Sequence, residues 1–324
     1  MRALLCSKFG PPENLKIVEM PDLTPGKGQV RIAIEACGVN FPDTLIIRDK
    51  YQYKPSLPFS PGGEVCGTID ALGEGVTEYK VGDRVMAMTL FGGFAEQIIV
   101  ESSALLRQPK TMDGVVAAGF TMTYGTSMHA LTQRAELRAG ETLLVLGAGG
   151  GVGLAAVEIG KAMGAIVIAA ASSPQKLDAA KKAGADYLIN YSKENLRNQI
   201  MQIVGKKGVD VVYDPVGGEL FELALRSTSW NGRVLVVGFA SGNIPKVSIN
   251  LALLKGCSIV GVFWGAFRLK ETVSDNQNFV QLFSWFKEGN INPYISHAYS
   301  LEETPLAIQK LSRRQAVGKI VIKI

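Results

Sequence analysis

The sequence predicts an α/β protein that combines a β-rich domain with a doubly wound, six-stranded parallel sheet. Two observations lead to this class. The first third of the chain carries short β-like runs separated by Gly and Pro, and strand and helix patterns alternate from about residue 140 to residue 263. The chain has 324 residues, of which 47% are hydrophobic, so it is long enough for two domains that each bury a core.

The front and the tail of the chain are expected to form one discontinuous domain. The β-like runs of the front lie at residues 15–20, 29–39, 64–73 and 94–100. The tail carries helical patterns near 272–288 and 301–312 and the strand-like segment "GKIVIKI". The predicted boundaries are 1–122 and 268–324 for this domain and 123–267 for the other, with a cleft between them.

The parallel sheet is predicted from six strands with helices between them. The strands are placed at 142–146, 166–171, 187–190, 209–213, 233–238 and 258–263. The helices between them are placed at 152–163, 174–183, 193–204 and 217–228. Such sheets bind ligands at the carboxyl ends of their strands, so the segments that follow the strands are the candidate cofactor loops.

Charge, cysteine content and hydropathy exclude several classes of protein. The net charge is +5, and no basic run is interleaved with aromatic residues, so nucleic acid is not an expected partner. The four cysteines form no Cys-x-x-Cys pair and are expected to be reduced thiols. No apolar run reaches the roughly 18 residues of a membrane span. We expect a cytoplasmic protein, or one of the mitochondrial matrix if a transit peptide has been removed.

A glycine-rich loop follows the first of the six strands. Gly147, Gly150 and Gly153 have the spacing G-x-x-G-x-x-G between a strand and a helix. Glycines there let the backbone approach a pyrophosphate, and the helix N-terminus supplies N–H donors. A Gly-rich turn without a ligand is the alternative, and the five further strands count against it. The predicted cofactor contacts of the loop are Gly147, Ala148, Gly149, Gly150, Gly151 and Val152.

The end of the second strand favours NADPH over NADH. NAD sites usually carry Asp or Glu at this point, which binds the ribose 2′-hydroxyl. Here the position is Ser172, and the first acid is Asp178. Lys176 can instead bind a 2′-phosphate together with the hydroxyl of Ser172 or Ser173. The alternative is that Lys176 is a solvated residue in the first turn of a helix.

Residues after the remaining strands complete the predicted cofactor site. Their aromatic side chains are expected to wall the nicotinamide pocket, although aromatics after buried strands are often only part of the core. The residues are Tyr191, Gly238, Phe239, Ala240, Phe263, Trp264 and Gly265.

Motifs along essentially the whole chain resemble one enzyme family. They are "GVNFPD" (38–43), "LPFSPGGEVCGTI" (57–69), "VGDRV" (81–85), "GGFAE" (92–96), "TYGTSMHAL" (123–131), the glycine loop and "GKIVI" (318–322). On these motifs the sequence resembles the zinc-free quinone oxidoreductase (ζ-crystallin-like) branch of the medium-chain dehydrogenase/reductase superfamily. Segment 242–267 is most similar to the quinone oxidoreductase-like protein 2 group. The resemblance implies a GroES-like domain, a Rossmann domain, NADPH in the cleft and a homodimer.

The same resemblance argues against a metal. In zinc-dependent members the first ligand is a cysteine two residues after the turn glycine, and that position here is Asn40, not Cys37. The second ligand is a histidine in a Gly-His-Glu motif, where this chain has Gly63. The chain has only two histidines, neither of them near these motifs, so the three or four ligands of Zn²⁺ cannot be assembled. We predict no metal, and a buried apolar role for Cys37.

Without a metal to activate an alcohol, the chemistry that remains is hydride delivery to an electrophilic acceptor such as a quinone or an α,β-unsaturated carbonyl compound. The resemblance makes Tyr51 the loop tyrosine that polarises or protonates the carbonyl, with Tyr53 as its rival. It places Thr126 near the nicotinamide, where the alternative is a helix-face hydroxyl. Asn40 is expected to hydrogen-bond the nicotinamide ribose or the substrate carbonyl, and the alternative is a cap of the helical turn that follows.

Two other activities stay open at this point. One is a 2-enoyl-thioester (enoyl-CoA) reductase of the same superfamily. The other is an NADPH-binding protein with low turnover that binds RNA. In each case the sixth strand is an apolar sheet edge, and because such edges are normally paired or covered, a homodimer through this strand is expected.

Overall fold

The computed structural model describes residues 1–324, and the chain forms two compact units. Unit 1 comprises Met1–Met122 and Tyr294–Ile324, and unit 2 comprises Thr123–Pro293. The predicted boundary after residue 122 coincides with this division. The predicted return to the first domain at residue 268 needs correction, because the chain returns to unit 1 at residue 294.

The secondary structure comprises fifteen strands and eleven α-helices. The strands are β1 (Arg2–Leu5), β2 (Lys16–Glu19), β3 (Gln29–Val39), β4 (Glu64–Leu72), β5 (Arg84–Met88), β6 (Gln97–Glu101), β7 (Leu105–Arg107), β8 (Thr142–Leu146), β9 (Ile166–Ala171), β10 (Tyr187–Asn190), β11 (Val209–Asp214), β12 (Thr228–Val236), β13 (Ser258–Gly261), β14 (Ile295–Ser300) and β15 (Lys319–Lys323). The α-helices are α1 (Phe41–Ile46), α2 (Gly114–Ala117), α3 (Thr121–His129), α4 (Gly151–Ala162), α5 (Pro174–Lys182), α6 (Leu196–Val204), α7 (Glu219–Arg226), α8 (Asn250–Lys255), α9 (Trp264–Lys270), α10 (Thr272–Glu288) and α11 (Thr304–Ser312).

Helix α10 accounts for the corrected boundary. Its Asp275 accepts a hydrogen bond from the indole N–H of Trp264 at 2.8 Å. Its Asn278 exchanges two hydrogen bonds with Gln133, of 2.9 and 3.1 Å. Phe279 of the same helix is buried. The predicted helix 272–288 is therefore correct in extent, but these contacts attach it to unit 2.

Unit 1 is a mostly antiparallel β structure. Its main sheet has the order β14-β15-β3-β4-β5-β7, and β6 also pairs with β3. The long strand β3 makes this possible, because its first half pairs with β6 and its last residues pair with β15 on the same side. Its alternate residues Val30, Ile32 and Ile34 are buried, as expected of a strand with one face on a core. Strand β14 was not predicted.

Unit 2 contains the predicted parallel sheet. The strand order is β10-β9-β8-β11-β12-β13, which in order along the chain is 3-2-1-4-5-6. All neighbours are parallel. Every residue of β8 is buried, as expected for a central strand covered by helices on both faces. The order reverses between β8 and β11, and sheets of this kind bind dinucleotides at that point.

Several predicted element ends shift by a few residues for local reasons. Helix α6 starts at Leu196 because the Asn195 side chain accepts the N–H of Asn198 at 3.1 Å and caps it. Helix α7 starts at Glu219 because Gly217 and Gly218 have φ angles of 67° and 64°, which a helix cannot adopt.

No helix of the chain is both long enough and apolar enough to cross a membrane.

Candidate functional site

The glycine loop of unit 2 has a geometry that only glycine permits. Gly147 follows β8 with a φ of 59°. A Cβ on Gly153 would lie 2.3 Å from the carbonyl oxygen of Gly147, so helix α4 can approach the strand only without a side chain there. Gly150 caps α4 with extended backbone. The first N–H groups of the helix therefore point out of the loop without intrahelical partners, as an anion site requires.

Lys176 packs directly against this loop. A Cβ on Gly149 would lie 2.3 Å from Cβ of Lys176, so the absence of a side chain at residue 149 makes room for the lysine stem. The Lys176 ammonium lies 3.4 Å from the Ser172 hydroxyl at the end of β9. Ser173 caps α5 by accepting the Lys176 N–H at 3.4 Å. A cation and a hydroxyl therefore stand where NAD sites carry a carboxylate.

The loops after β11 and β12 support each other. The buried Asp214 carboxylate accepts the N–H groups of Val216 and Gly217 at 2.7 and 2.9 Å. Burial raises the pKa of Asp214, and these two hydrogen bonds partly offset it. The Gly238 N–H donates to the carbonyl of Asp214 at 3.3 Å, and the Ala240 N–H donates to that of Pro215 at 3.0 Å. Both N–H groups bond to Oδ1, and Asp214 therefore orders the loop that follows β11.

Other predicted cofactor residues lie in different surroundings. Phe239 lies over Gly217, where an added Cβ would be 3.0 Å from its ring. Tyr191 is half-buried against the apolar core of unit 2, and Thr126 is half-buried on α3. Phe263 is 66% exposed. Ala148 is buried within the glycine loop, and Gly151 and Val152 form the first turn of α4.

Trp264 requires a correction. Its side chain is buried, its indole N–H is donated to Asp275, and an added Cβ on Gly125 would lie 2.6 Å from the indole ring. Trp264 therefore packs α9 against α3 and α10 rather than walling an open pocket. Gly265 lies beside it in the first turn of α9.

Three strand ends meet in unit 1 around Asn40. Val39 of β3 pairs with Ile320 of β15, so Asn40 comes next to Lys319. Cys37 of β3 pairs with Val65 of β4, so Glu64 reaches the same place from the other side. The juxtaposition follows from strand register, and it brings together residues that are hundreds of positions apart.

Both ends of the Asn40 carboxamide have partners inside unit 1. Its Nδ2 donates to Oε2 of Glu64 at 2.9 Å and to the carbonyl of Gly38 at 3.3 Å. Its Oδ1 accepts a hydrogen bond from the ammonium of Lys319. Asn40 is 6% exposed. A hydrogen bond from its side chain to a cofactor or substrate would have to replace one of these buried contacts.

Asn40 is the N-cap residue of α1, as the alternative expectation had it, and it forms a capping box with the third residue of the helix, Asp43. Oδ2 of Asp43 accepts the backbone N–H of Asn40 at 2.7 Å, and its Oδ1 accepts the N–H of Gly62 at 3.2 Å. Burial raises the pKa of Asp43 to about 6, although the Asn40 N–H and the charge of Lys319 work in the opposite direction. Asp43 thus connects the start of α1 to the segment before β4.

The residues at the positions of the family's zinc ligands do not fit a zinc ion. Asn40 uses its carboxamide in the contacts described above. A Cβ on Gly63 would lie 2.8 Å from the carbonyl oxygen of Thr89, so a side chain cannot project from this position without a shift of backbone. No group of three or more His, Cys, Asp or Glu residues is arranged to hold a metal ion. Cys37 is fully buried, and burial raises the pKa of its thiol well above its usual range.

Tyr51 and Tyr53 lie close together in sequence in unit 1 but differ in exposure. Tyr51 is half-buried and packs against the apolar core. Burial, and secondly the charge of Asp43, raise the pKa of its phenol, so the hydroxyl is protonated at neutral pH. Tyr53 is 44% exposed and stacks on Phe91 with ring centroids 5.9 Å apart. Tyr51 is the better-fixed proton donor of the two.

Sequence reasoning missed Glu64, Lys319 and Asp43. Each lies inside a motif quoted above, in "GGE", "GKIVI" and "GVNFPD" respectively. The motifs themselves do not indicate that these side chains are polar partners of residue 40. Two signals in the sequence could have indicated them. Lys319 begins an otherwise apolar β-strand, and Glu64 follows Gly63, which stands where zinc-dependent relatives have a histidine.

Two family models match this chain. The alcohol dehydrogenase GroES-like domain matches residues 26–110, which lie in unit 1, and the zinc-binding dehydrogenase model matches residues 151–285, which lie in unit 2. The predicted pairing of a GroES-like domain with a Rossmann sheet is therefore confirmed.

Individual proteins match over their whole length. The chain is 37% identical to quinone oxidoreductase-like protein 2 of Mus musculus, over 100% of this chain and 92% of that protein. It is 33% identical to quinone oxidoreductase of Homo sapiens, over 99% and 97%. Two similar solved structures are the Escherichia coli quinone oxidoreductase complexed with NADPH (28% identity, TM-score 0.92) and a mycobacterial protein complexed with NADPH (30% identity, TM-score 0.93), and both matches cover 100% of each chain. The resemblance seen in the sequence motifs holds along the whole chain.

The lack of space for a side chain at residue 63 can be tested by measuring the stability of a variant. Gly63→Ala should lower the free energy of unfolding by about 1–3 kcal/mol, because the new Cβ meets backbone, which cannot rotate away. Denaturant unfolding followed by far-UV circular dichroism measures the change.

Gly265→Ala is the matched control. A Cβ there would meet only the Phe263 ring at 3.5 Å, an ordinary contact, so stability should change by less than about 0.5 kcal/mol. Equal stability of wild type and Gly63→Ala would show that residue 63 has room for a side chain.

Proposed function

We infer that this chain, which belongs to the quinone oxidoreductase family of the medium-chain dehydrogenases/reductases, uses NADPH to reduce a quinone or an α,β-unsaturated carbonyl compound without the help of a metal ion. The chain is an NADPH-dependent oxidoreductase. The acceptor and the independence from zinc are our proposal, and the observation that carries them is the cluster of Asn40, Glu64 and Lys319 at the place of a metal site.

Unit 2 holds the cofactor. The residues fit the group, since the glycine loop forms a cradle that a Cβ at residue 153 would fill, and the first N–H groups of α4 face the pyrophosphate. We propose that Lys176 and Ser172 bind the 2′-phosphate. Around the nicotinamide we propose Phe239 with the backbone of Gly238 and Ala240, and Thr126 on α3. Tyr191 is proposed to lie near the adenine end.

The cofactor supplies a hydride to the acceptor carbon. One hydride and one proton convert a quinone to its hydroquinone, or an enone to the saturated ketone. Negative charge develops on the acceptor oxygen, and a fixed donor stabilises it. We propose Tyr51 as this donor, because it is half-buried and packs against the apolar core, which fixes its hydroxyl, and a tyrosine hydroxyl carries its proton at neutral pH. Asn40 is proposed to act by fixing the loop that begins α1, since its own carboxamide is occupied.

We propose that two copies associate through β13. This strand is an edge of the unit 2 sheet, and the residues that flank it include Leu253, Leu254 and Phe263, which are 78%, 69% and 66% exposed. Trp230, 74% exposed, packs on Gly256 next to the same strand. The other edge, β10, exposes less, with Tyr187 at 44% and Leu188 at 36%. An apolar edge of this kind is stabilised by pairing with a second sheet.

The four cysteines carry free thiols. Reduced thiols suit a reducing compartment, and we propose the cytoplasm.

A screen of acceptors tests the proposed reaction. Purified protein should oxidise NADPH, followed at 340 nm, with quinones or enones, and added chelator should leave the rate unchanged. Activity with crotonyl-CoA alone would assign an enoyl-thioester reductase instead. No oxidation with any acceptor would refute the proposed function.

Tyr51→Phe extends the same test to the proton donor. It should lower kcat about 100-fold, since a general acid contributes at least that much. Tyr53→Phe is the control and should remain within about twofold, because Tyr53 is stacked and exposed. The reverse pattern would move the donor role to Tyr53.

The 2′-phosphate assignment predicts a cofactor-specific loss. Lys176→Ala should raise the Kd for NADPH about 10- to 100-fold, corresponding to about 1.5–3 kcal/mol for a hydrogen bond to a charged group. The Kd for NADH should stay within about threefold.

Lys181→Ala is the control, on the same helix and exposed. Isothermal titration calorimetry measures the four affinities of the two variants. Equal losses for NADPH and NADH would contradict the assignment.

The proposed dimer is tested by placing a negative charge beside the edge strand β13. Leu253→Glu should shift the protein from dimer to monomer in sedimentation equilibrium, because a carboxylate cannot be buried against an apolar partner. Val273→Glu is the control, since Val273 is 73% exposed on α10 and does not flank β13. A monomeric wild type at micromolar concentration would rule the dimer out.

A further inference from the structure

Lys319 is the only lysine or arginine of the chain that is buried, with 5% exposure. Its ammonium lies 2.7 Å from Oε2 of Glu64, which is fully buried, and also donates to Oδ1 of Asn40. The second oxygen of Glu64 accepts the backbone N–H of Met122 at 2.8 Å. Both oxygens of the Glu64 carboxylate therefore have hydrogen-bond donors, and both side chains of the ion pair are buried.

Two glycines make room for this pair. A Cβ on Gly38 would lie 2.2 Å from the backbone carbonyl oxygen of Ala118, 2.7 Å from Oε2 of Glu64 and 3.0 Å from Cε of Lys319, so both the backbone and the pair need glycine here. A Cβ on Gly119 would lie 2.8 Å from Cγ of Lys319. Neither glycine has a positive φ, so the backbone conformation does not explain them. The space they leave is occupied by the lysine stem and the carboxylate.

Stability does not explain why the pair is there. Removing two charges from water costs several kcal/mol per ion, and apolar residues of similar volume are often equally stable or more stable. The place of the pair is informative instead. It lies where β3 ends and where β4 and β15 begin, and its lysine contacts Asn40, the residue that precedes α1.

We propose that Lys319 is a positioning residue for the reduction, which acts by holding Asn40 and Glu64. The ammonium holds the Asn40 carboxamide and the Glu64 carboxylate in fixed orientations. It thereby fixes the backbone of residues 38–41, where β3 passes into α1. This proposal rests on the proposed reductase function.

The proposal predicts which kinetic constant changes. The proposed NADPH contacts at the glycine loop and at Lys176 belong to unit 2, whereas Lys319 belongs to unit 1, so NADPH binding should not depend on it. The orientation of the Asn40 segment is expected to affect the chemical step, because small displacements of the groups that position the reactants lower the rate strongly. Loss of Lys319 should therefore lower kcat and leave the Kd for NADPH nearly unchanged.

A charge-matched pair of variants separates positioning from folding. Lys319→Met leaves the Glu64 carboxylate buried without its cation and should destabilise the fold. Lys319→Met/Glu64→Gln removes both charges and keeps the volumes, so its Tm should return to within about 3 °C of wild type. Methionine cannot donate to Asn40, so kcat of the double variant should remain about 10- to 100-fold below wild type, with the Kd for NADPH within about threefold.

Lys323→Met is the control on the same strand, because Lys323 is exposed, and it should have wild-type kcat and Tm. A double variant with both wild-type Tm and wild-type kcat would overturn the proposal, since Lys319 would then serve only to neutralise Glu64. The double variant carries the test even if Lys319→Met alone does not fold. A wild type inactive with every acceptor would refute the reductase function, and the two failures are thereby distinguished.

Discussion

The buried contact between Lys319 and Glu64 is the constraint around which unit 1 is arranged. It requires that β15 start, β3 end and β4 start at one place, and strand register delivers this through the pairs Val39 with Ile320 and Cys37 with Val65. Glycine at residues 38 and 119 leaves the space for it, and Gly38 also allows the close approach of the Ala118 carbonyl. A charge pair without access to water tolerates little displacement, since each partner lost leaves an uncompensated charge. The polar side chains around Asn40 are consequently held in one arrangement.

Unit 2 depends on the close packing of backbone against backbone and of a side chain against backbone. Its glycine loop brings α4 against β8 and lets the Lys176 stem pack against Gly149. These are steric requirements, and charge enters only at the end, where the lysine ammonium and the Ser172 hydroxyl stand in place of a carboxylate. The proposed binding of a phosphorylated ribose depends on two features of the sequence together, the absence of a side chain at residue 149 and the absence of an acid at residue 172.

The two units treat buried charge differently. In unit 1, Glu64 is matched by a cation, and the neighbouring Asp43 is stabilised by two backbone N–H groups, with its pKa raised by burial to about 6. In unit 2, Asp214 has no cation in its hydrogen bonds and instead orders the loop that follows β11 by accepting two N–H groups. Asp214 thus shapes a loop by backbone hydrogen bonds alone, whereas Glu64 combines a backbone N–H with a cation and the Asn40 carboxamide.

The sequence alone determined the features that depend on local spacing. The order of strands and helices in the parallel sheet, the glycine loop and the absence of an acid after β9 can all be read from periodicity and from residues within about 30 positions, because these structures form between neighbours in the chain. The sequence also predicted the absence of zinc from Asn40 and Gly63, and that remains a prediction. Tertiary structure alone decided that α10 belongs to unit 2, that Trp264 is a core residue and that Asn40 bonds to Lys319. The last contact joins residues 279 positions apart. Such a partner is chosen by strand register across the sheet, and periodicity carries no information about it.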